Sequence, residues 1–273
     1  MQKGVNLILL FVIITQILGL YLGIQYNDAI AAGKMSSAVE NPESIESALF
    51  LFGAILITTI IILFTVRYWD NFMIYLENFV IFTILILFFD SILPIPVLTL
   101  YFAFGLVLLK IFNQSEIVRN LIGVICGATV GALLGVSLNI IPALLFFLIL
   151  VVYDFISVFI TKHMIKLAET VTKNPSSLMF SSAHKFSKPV KISGKFKKVH
   201  VFRLGLGDAI IPLIFIVSAL RTFGVVHALF AMAGCWISLY ILFRYITKHP
   251  RPLPALPFLF PGTIAGFLLA FLV

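Results

Sequence analysis

The chain has 273 residues, is 61% hydrophobic and only 11% charged, and has a mean hydropathy of +1.14. About a quarter of the residues of a soluble protein are charged, so this composition excludes an ordinary soluble domain and indicates a polytopic membrane protein. The formal net charge of +8 predicts no nucleic-acid partner, because the basic residues gather in loops on one side of the membrane. Both cysteines, Cys126 and Cys235, lie in apolar runs and lack the spacing of a disulfide framework or metal site.

Nine apolar segments predict an all-α membrane fold, since one transmembrane helix needs about 20 mostly apolar residues. In chain order they lie near 5–25, 48–66, 73–90, 95–112, 118–138, 141–162, 204–222, 225–244 and 253–273. The first apolar run is longer than the core of a secretory signal, so we interpret it as a retained span. The stretch SILPIPVL at 91–98 either separates the third and fourth spans or kinks one long helix.

The distribution of Lys and Arg predicts the orientation. With the N-terminus in the cytoplasm, Lys34 and Arg221 are the only Lys or Arg residues on the external side. Cytoplasmic loops of membrane proteins carry the excess of basic residues. The pattern therefore predicts an odd number of spans, a cytoplasmic loop at about 163–203 and an external C-terminus.

Two further patterns concern packing and the long loop. Gly123, Gly127, Gly131 and Gly135 recur every four residues and predict a helix face on which another helix packs closely. In the loop, VKISGKFKKVHVF alternates apolar and basic residues around Ser193-Gly194. This stretch is either a β-hairpin or a flexible basic segment attracted to anionic lipid headgroups.

Ionisable residues inside spans are candidates for function, because a charge at the bilayer centre costs at least about 2.5–3.5 kcal/mol. Glu77 and Asp90 lie near span ends, where reaching the interface or capping a helix explains them. Asp154 and Asp208 are set among apolar residues of spans six and seven. At 1.5 Å per residue, Asp154 lies about 12 Å below Lys162 and Asp208 about 8 Å below Arg203. The matched depths predict that the two carboxyls face one another.

Two adjacent carboxyls in a site of low dielectric share a proton, which is the arrangement of an aspartic protease. One carboxylate takes a proton from water while its protonated partner supports the carbonyl oxygen of the peptide. Gly205 and Gly207 leave room for a peptide beside Asp208. The prolines of RPLPALPFLFPG predict a broken start of the ninth span, on the same cytoplasmic side as both aspartates.

Three motifs in order carry a resemblance to a known family: YD at Tyr153-Asp154, GLGD at Gly205–Asp208, and PAL at Pro254–Leu256. Together they resemble the presenilin and signal peptide peptidase family of GxGD intramembrane aspartyl proteases. The resemblance covers about 140–273, which separates a catalytic region (spans six to nine) from an N-terminal bundle at 1–139 (spans one to five). The loop of about 40 residues is short for the family and suggests a compact microbial, archaeal homologue.

The resemblance implies a fold, a catalytic pair and a substrate class. Asp154 and Asp208 would be the catalytic pair, acting on water without a metal or cofactor. The residues that would shape the site or bind substrate are Tyr153, Gly205, Leu206, Gly207, Pro254, Ala255 and Leu256. A strand at Val199, His200, Val201 and Phe202 would pair with an unwound substrate. The transmembrane helices of single-span proteins or the remnants of signal peptides would be the substrates, within a lipid membrane and without an obligatory partner subunit. A homo-oligomer stays open, as does the choice between presenilin-type and signal-peptide-peptidase-type substrate orientation.

Two functions of another class use the same features. Membrane carboxylates and a proline-broken helix also suit an ion- or proton-coupled transporter. They also suit a cation leak channel whose aspartates line a pore. The chain has no internal repeat that would support a transporter, and cleavage of a membrane substrate distinguishes the protease from both alternatives.

Overall fold

A computed structural model describes residues 2–68, 72–93, 95–113, 115–160, 179–182, 202–248 and 253–272. These residues are mostly helical. The α-helices within them are α1 (Gln2–Ala31), α2 (Ile45–Tyr68), α3 (Phe72–Asp90), α4 (Pro96–Phe112), α5 (Glu116–Ser137), α6 (Ile140–Phe155), α7 (Leu206–Phe223), α8 (Val225–Lys248) and α9 (Leu256–Leu269). A π-helix (Ile156–Ile160) follows α6, and a 3₁₀ turn (Ala270–Leu272) follows α9.

Each predicted span corresponds to one of these helices, with ends that differ by a few residues. The stretch at 91–98 separates two helices, because α3 ends at Asp90 and α4 begins at Pro96. Among the described residues, five helices are long and apolar enough to cross a membrane, namely α1, α5, α6 with its π-helical end, α7 and α8. Shorter apolar helices lie at Ile45–Ile61, Pro96–Phe112 and Leu256–Leu272.

Helix α7 lies at the centre of the bundle and packs against α1, α5, α6, α8 and α9. The predicted glycine face of α5 makes this packing close. A Cβ atom on Gly131 would lie 2.8 Å from Cγ of Leu213, and one on Gly135 would lie 2.6 Å from Cβ of Val217. Helix α1 uses Gly23 in the same way against Val217. Small residues in membrane helices let backbones approach closely, and here they surround the helix that carries Asp208.

Two side chains of α7 bind the C-terminal end of α5. The hydroxyl of Ser218 donates to the carbonyl of Leu138 at 2.8 Å, and Nη1 of Arg221 donates to the carbonyl of Val136 at 2.5 Å. The last carbonyls of a helix have no partner within the helix, and these bonds supply one. These two hydrogen bonds fix both the position of α7 along the axis of α5 and the distance between the two helices.

A two-stranded antiparallel sheet precedes α7. Strand β1 (Met179–Ser182) pairs with β2 (Phe202–Gly205) so that Phe180 lies opposite Leu204 and Ser181 opposite Arg203. The predicted seventh span began at 204, but Leu204 and Gly205 belong to β2, and α7 begins at Leu206. The predicted hairpin around Ser193-Gly194 lies outside the described residues.

The two ionisable residues near span ends have structural surroundings. Oε1 of Glu77 in α3 accepts a hydrogen bond from Nζ of Lys110 in α4 at 2.8 Å, and Lys110 also donates to Asn78. This ion pair satisfies a carboxylate that is only 15% exposed. Asp90 is exposed at the end of α3.

Candidate active site

Asp154 lies at the end of α6, where the helix changes its winding. It is 8% exposed, and the π-helix begins two residues after it. The hydroxyl of the buried Ser157 donates to the backbone carbonyl of Asp154 at 3.0 Å. A single π-helical turn inside a membrane helix is a frequent feature of functional sites. The adjacent Tyr153 is half-buried, and its ring lies edge-on to Phe52 of α2, with 6.2 Å between the centroids.

The carboxylate of Asp154 binds the N-terminus of α9. Oδ2 accepts a hydrogen bond from the backbone N–H of Leu256 at 3.2 Å, and the N–H of Ala255 also donates to the carboxylate. The first N–H groups of a helix have no partner within the helix and carry partial positive charge, so they favour an anion. Pro254 is buried and not helical. Helix α9 therefore begins just after it, at Leu256, the residue whose N–H binds Asp154.

Asp208 lies in the first turn of α7. Its carboxylate accepts a hydrogen bond from the backbone N–H of Gly205, the N-cap residue. An acidic side chain at the third helical position that bonds the N-cap N–H is half of a capping box. The residue is half-buried. Asp208 therefore stabilises the start of its own helix, while Asp154 stabilises the start of α9.

The fold brings these two carboxyls together. They lie close enough for Coulombic repulsion when both are ionised, as the matched depths predicted. Each has backbone donors that stabilise its ionised form, but their mutual repulsion disfavours two negative charges side by side. A pair of this kind can hold one proton between its two carboxyls, which would supply a general acid and a general base at the same place.

The glycines of GLGD differ in their surroundings. Gly207 is exposed, and a Cβ atom built on it would have no atom within 4 Å. A Cβ atom on Gly205 would lie 3.4 Å from Oδ2 of Asp208, at the limit of ordinary contact. Leu206 between them is buried and points away into the bundle, where Cδ1 would lie 3.0 Å from a Cβ atom on Gly127 of α5. The open side of this turn is therefore the face of Gly207.

Some of the predicted site residues lie together in the structure, and others lie outside the described residues. Asp154, Asp208 and the PAL segment meet at one place, with GLGD forming the turn on which Asp208 lies. Of the predicted substrate strand, Phe202 begins β2, whereas Val199, His200 and Val201 lie outside the described residues. The roles assigned to all of these residues in catalysis or substrate binding stay predictions.

Sequence reasoning missed two residues of this region, Ser157 and Phe180. A serine three residues after Asp154 in a continuous apolar run was a visible polar signal for the first. Nothing in MFSS at 179–182 marks the second, because a strand of four residues depends on its tertiary surroundings. Among the described residues, no group of three His, Cys, Asp or Glu side chains is placed to hold a metal ion.

Comparisons with known proteins extend beyond the three motifs. The family model described as signal-peptide peptidase, presenilin aspartyl protease matches residues 8–273. A solved structure of a presenilin family intramembrane aspartate protease in space group P2 is similar with a TM-score of 0.73 and 26% identity, over 97% of this chain and 96% of that chain. A structure with the same description in space group C222 gives 0.72 and 26%, over 98% of each chain. A comparison with curated protein sequences gives no match.

Proposed function

This chain belongs to the signal-peptide peptidase and presenilin aspartyl protease family, and from that premise we propose that it hydrolyses peptide bonds of transmembrane helices with Asp154 and Asp208. The observation that carries the proposal is the meeting of these two carboxyls at the starts of α7 and α9. Each accepts hydrogen bonds from backbone N–H groups, which supports the proposal that the two carboxyls are held in place to exchange a proton.

The proposed reaction needs only the peptide and one water molecule. The ionised carboxyl removes a proton from water, and the resulting hydroxide attacks the peptide carbonyl while the protonated carboxyl donates a hydrogen bond to its oxygen. Collapse of the tetrahedral intermediate breaks the C–N bond, and a carboxyl delivers a proton to the leaving amine. The products are a new carboxylic acid, which keeps the second proton of the water, and a new amine, and the pair returns to its starting charge.

The open face of Gly207 is the proposed position of the scissile peptide. The backbone of a substrate can approach Asp208 there, because a Cβ atom on Gly207 would have nothing within 4 Å. A transmembrane helix must unwind before its peptide bond reaches two carboxyls, and an extended peptide pairs readily with a sheet edge. Strand β2, which leads into this turn, is the proposed pairing partner.

We propose further that the nine α-helices of the described residues all cross the membrane, with the N-terminus cytoplasmic and the C-terminus external. The excess of Lys and Arg in one set of loops supports this orientation. Single-span membrane proteins are the proposed substrates, and water is the proposed co-reactant, without a metal, organic cofactor or partner subunit.

The experiment compares purified wild-type protein with Asp154→Asn and Asp208→Asn in liposomes that contain a single-span substrate. Asparagine keeps an oxygen that accepts the N–H bonds of Leu256 or Gly205, but it cannot transfer the proton. Each substitution should lower cleavage at least about a hundredfold, measured by mass spectrometry of the products. Asp90→Asn, which changes an exposed carboxyl, is the matched control and should cleave like wild type.

The same liposomes distinguish the transporter and channel alternatives. Retention of wild-type cleavage by either aspartate variant would disprove the catalytic pair. Ion flux through the wild type without any cleavage would favour a transporter or channel. The family match and the fold both favour the protease.

A further inference from the structure

Strand β1 packs on the helical bundle, and the aromatic side chain of Phe180 is its buried contact with α1. Phe180 has no exposed surface, and its ring stacks on Phe11 of α1 with 5.8 Å between centroids and 22° between planes. The strand also contacts α5. A fully buried phenylalanine is a strong anchor for a strand of only four residues, because aromatic rings bury about 150–250 Å² each.

A short series of contacts leads from this anchor to Asp208. Phe180 lies opposite Leu204 in the sheet, and Leu204 is only 6% exposed. The next residue, Gly205, donates its N–H to the carboxylate of Asp208. Displacement of β1 from the bundle would therefore displace β2 and the turn that holds Asp208.

The same part of the bundle holds the first residue of α7. A Cβ atom on Gly127 of α5 would lie 3.0 Å from Cδ1 of Leu206 and 3.1 Å from Cγ2 of Thr15. Thr15 follows Phe11 by one helical turn of α1, so the two residues share one face of that helix. This face of α1 thus contacts the strand that pairs with β2 through Phe11, and at Gly127 it lies beside the first residue of α7.

We propose that Phe180 is a positioning residue, which seats the β1–β2 sheet on α1 and α5 before substrate arrives and thereby fixes the turn carrying Asp208. The inference rests on the proposed function for its effect on cleavage. In the described part of the chain, β1 contacts β2, α1 and α5, and we infer that these contacts are enough to assemble the sheet before a substrate strand binds. A substrate then pairs with a sheet that is already complete, and β1 and β2 stay paired during the reaction.

A disulfide between the strands tests this directly. Cys126→Ala and Cys235→Ala remove the native thiols, and Ser181→Cys with Arg203→Cys places new thiols on directly opposite residues. Opposite Cα atoms of antiparallel strands are about 4.5–5.5 Å apart, which a disulfide spans. We expect the bond to form in detergent without substrate, and the oxidised protein to cleave as fast as the same protein after reduction. Met179→Cys with Arg203→Cys, two residues out of register, is the control and should not cross-link.

Two results would overturn the proposal. If the cross-link forms only when a substrate is added, the sheet assembles on the substrate. If the oxidised protein is inactive and recovers on reduction, the strands must separate during the reaction. The cross-linking assay does not depend on cleavage. If the wild-type protein cleaves no substrate, the proposed function is disproved, but the cross-link still shows whether β1 and β2 are paired.

A second test addresses the side chain itself. Phe180→Ala should lower kcat about 10- to 100-fold, because misplacement of a catalytic group by about 1 Å has effects of this size, and Phe180→Leu should recover most of it. Phe267→Ala is the matched control, since Phe267 is also buried but packs against Phe215, Phe223 and Phe271, of which the first two lie on α7 at least seven residues beyond Asp208. It should lower the unfolding temperature comparably with little loss of kcat. Equal kcat in Phe180→Ala and Phe267→Ala would overturn the role of Phe180.

Discussion

Adding one methyl group at Gly135 should disturb the active site from the far end of α7. A Cβ atom there would lie 2.6 Å from Cβ of Val217 and 2.9 Å from the carbonyl oxygen of Ile214, whereas ordinary contact begins at 3.4 Å. The obstacle is a stiff β-branched side chain and backbone, so α7 itself must move. In the Gly135→Ala variant α5 and α7 must separate at this point by up to about 0.8 Å, the difference between 3.4 and 2.6 Å.

This shift has a cost in stability and a cost in activity. Overpacking of this kind destabilises by about 1–3 kcal/mol, and the better helix propensity of alanine returns up to about 1 kcal/mol. Asp208 lies nine residues from Val217, or about 14 Å along the helix, so α7 tilts and the carboxyl moves relative to Asp154. We expect cleavage to fall about 10- to 100-fold.

Gly105→Ala is the control, because Gly105 is an exposed glycine of α4 and a methyl group added there would have nothing within 4 Å. Both variants are compared with wild type by thermal unfolding in detergent and by the rate of product formation from a single-span substrate. Gly105→Ala should cleave like wild type and should unfold at the same or a slightly higher temperature, because the better helix propensity of alanine acts there without overpacking. Equal unfolding temperatures and cleavage rates for Gly135→Ala and Gly105→Ala would refute the reasoning that the glycine face positions α7.

Three further predictions concern the ion pair, the π-helix and the proton shared by the two carboxyls. Lys110→Met leaves the carboxylate of Glu77 without this cation and should lower the unfolding free energy by about 3 kcal/mol. The double variant Lys110→Met, Glu77→Gln should recover part of this loss, and a double variant no more stable than Lys110→Met would contradict the pairing. Ser157→Ala removes a hydrogen bond worth about 1 kcal/mol, and it should lower kcat about fivefold with KM unchanged. A change in KM alone would argue against the idea that Ser157 positions Asp154. The cleavage rate should fall at low pH, where no base remains, and at high pH, where no acid remains; a level profile over the pH range in which the protein stays folded would exclude the shared proton.

The helices were predictable because apolar length and turn residues determine them almost alone. Pro96 begins α4 as a proline at the first helical turn, and the glycine repeat of α5 identified the face that contacts α7. The meeting of Asp154 and Asp208 followed from equal depth on two connected spans. These features depend on spacing along the chain, which the sequence states directly.

The features that sequence reasoning missed depend on backbone groups and on distant partners. Asp154 is bound by the backbone N–H groups of Ala255 and Leu256. Every residue type except proline has such a group, so no sequence pattern predicts this contact. Strand β1 packs on the bundle through the stacking of Phe180 on Phe11, which lies more than 160 residues away in the sequence. The change to a π-helix after Asp154 leaves the apolar pattern unaltered, since every residue of Ile156–Ile160 except Ser157 is apolar.

The most direct test of the central claim follows the oxygen atom of water. A single-span substrate is cleaved in water enriched in the heavy oxygen isotope, by wild type, Asp154→Asn and Asp208→Asn, and the new carboxylate is weighed by mass spectrometry. Hydrolysis by the two aspartates predicts one heavy oxygen atom in the wild-type product and no labelled product from either variant above background. Labelled product from either variant at the wild-type rate, or wild-type product without the label, would contradict the account.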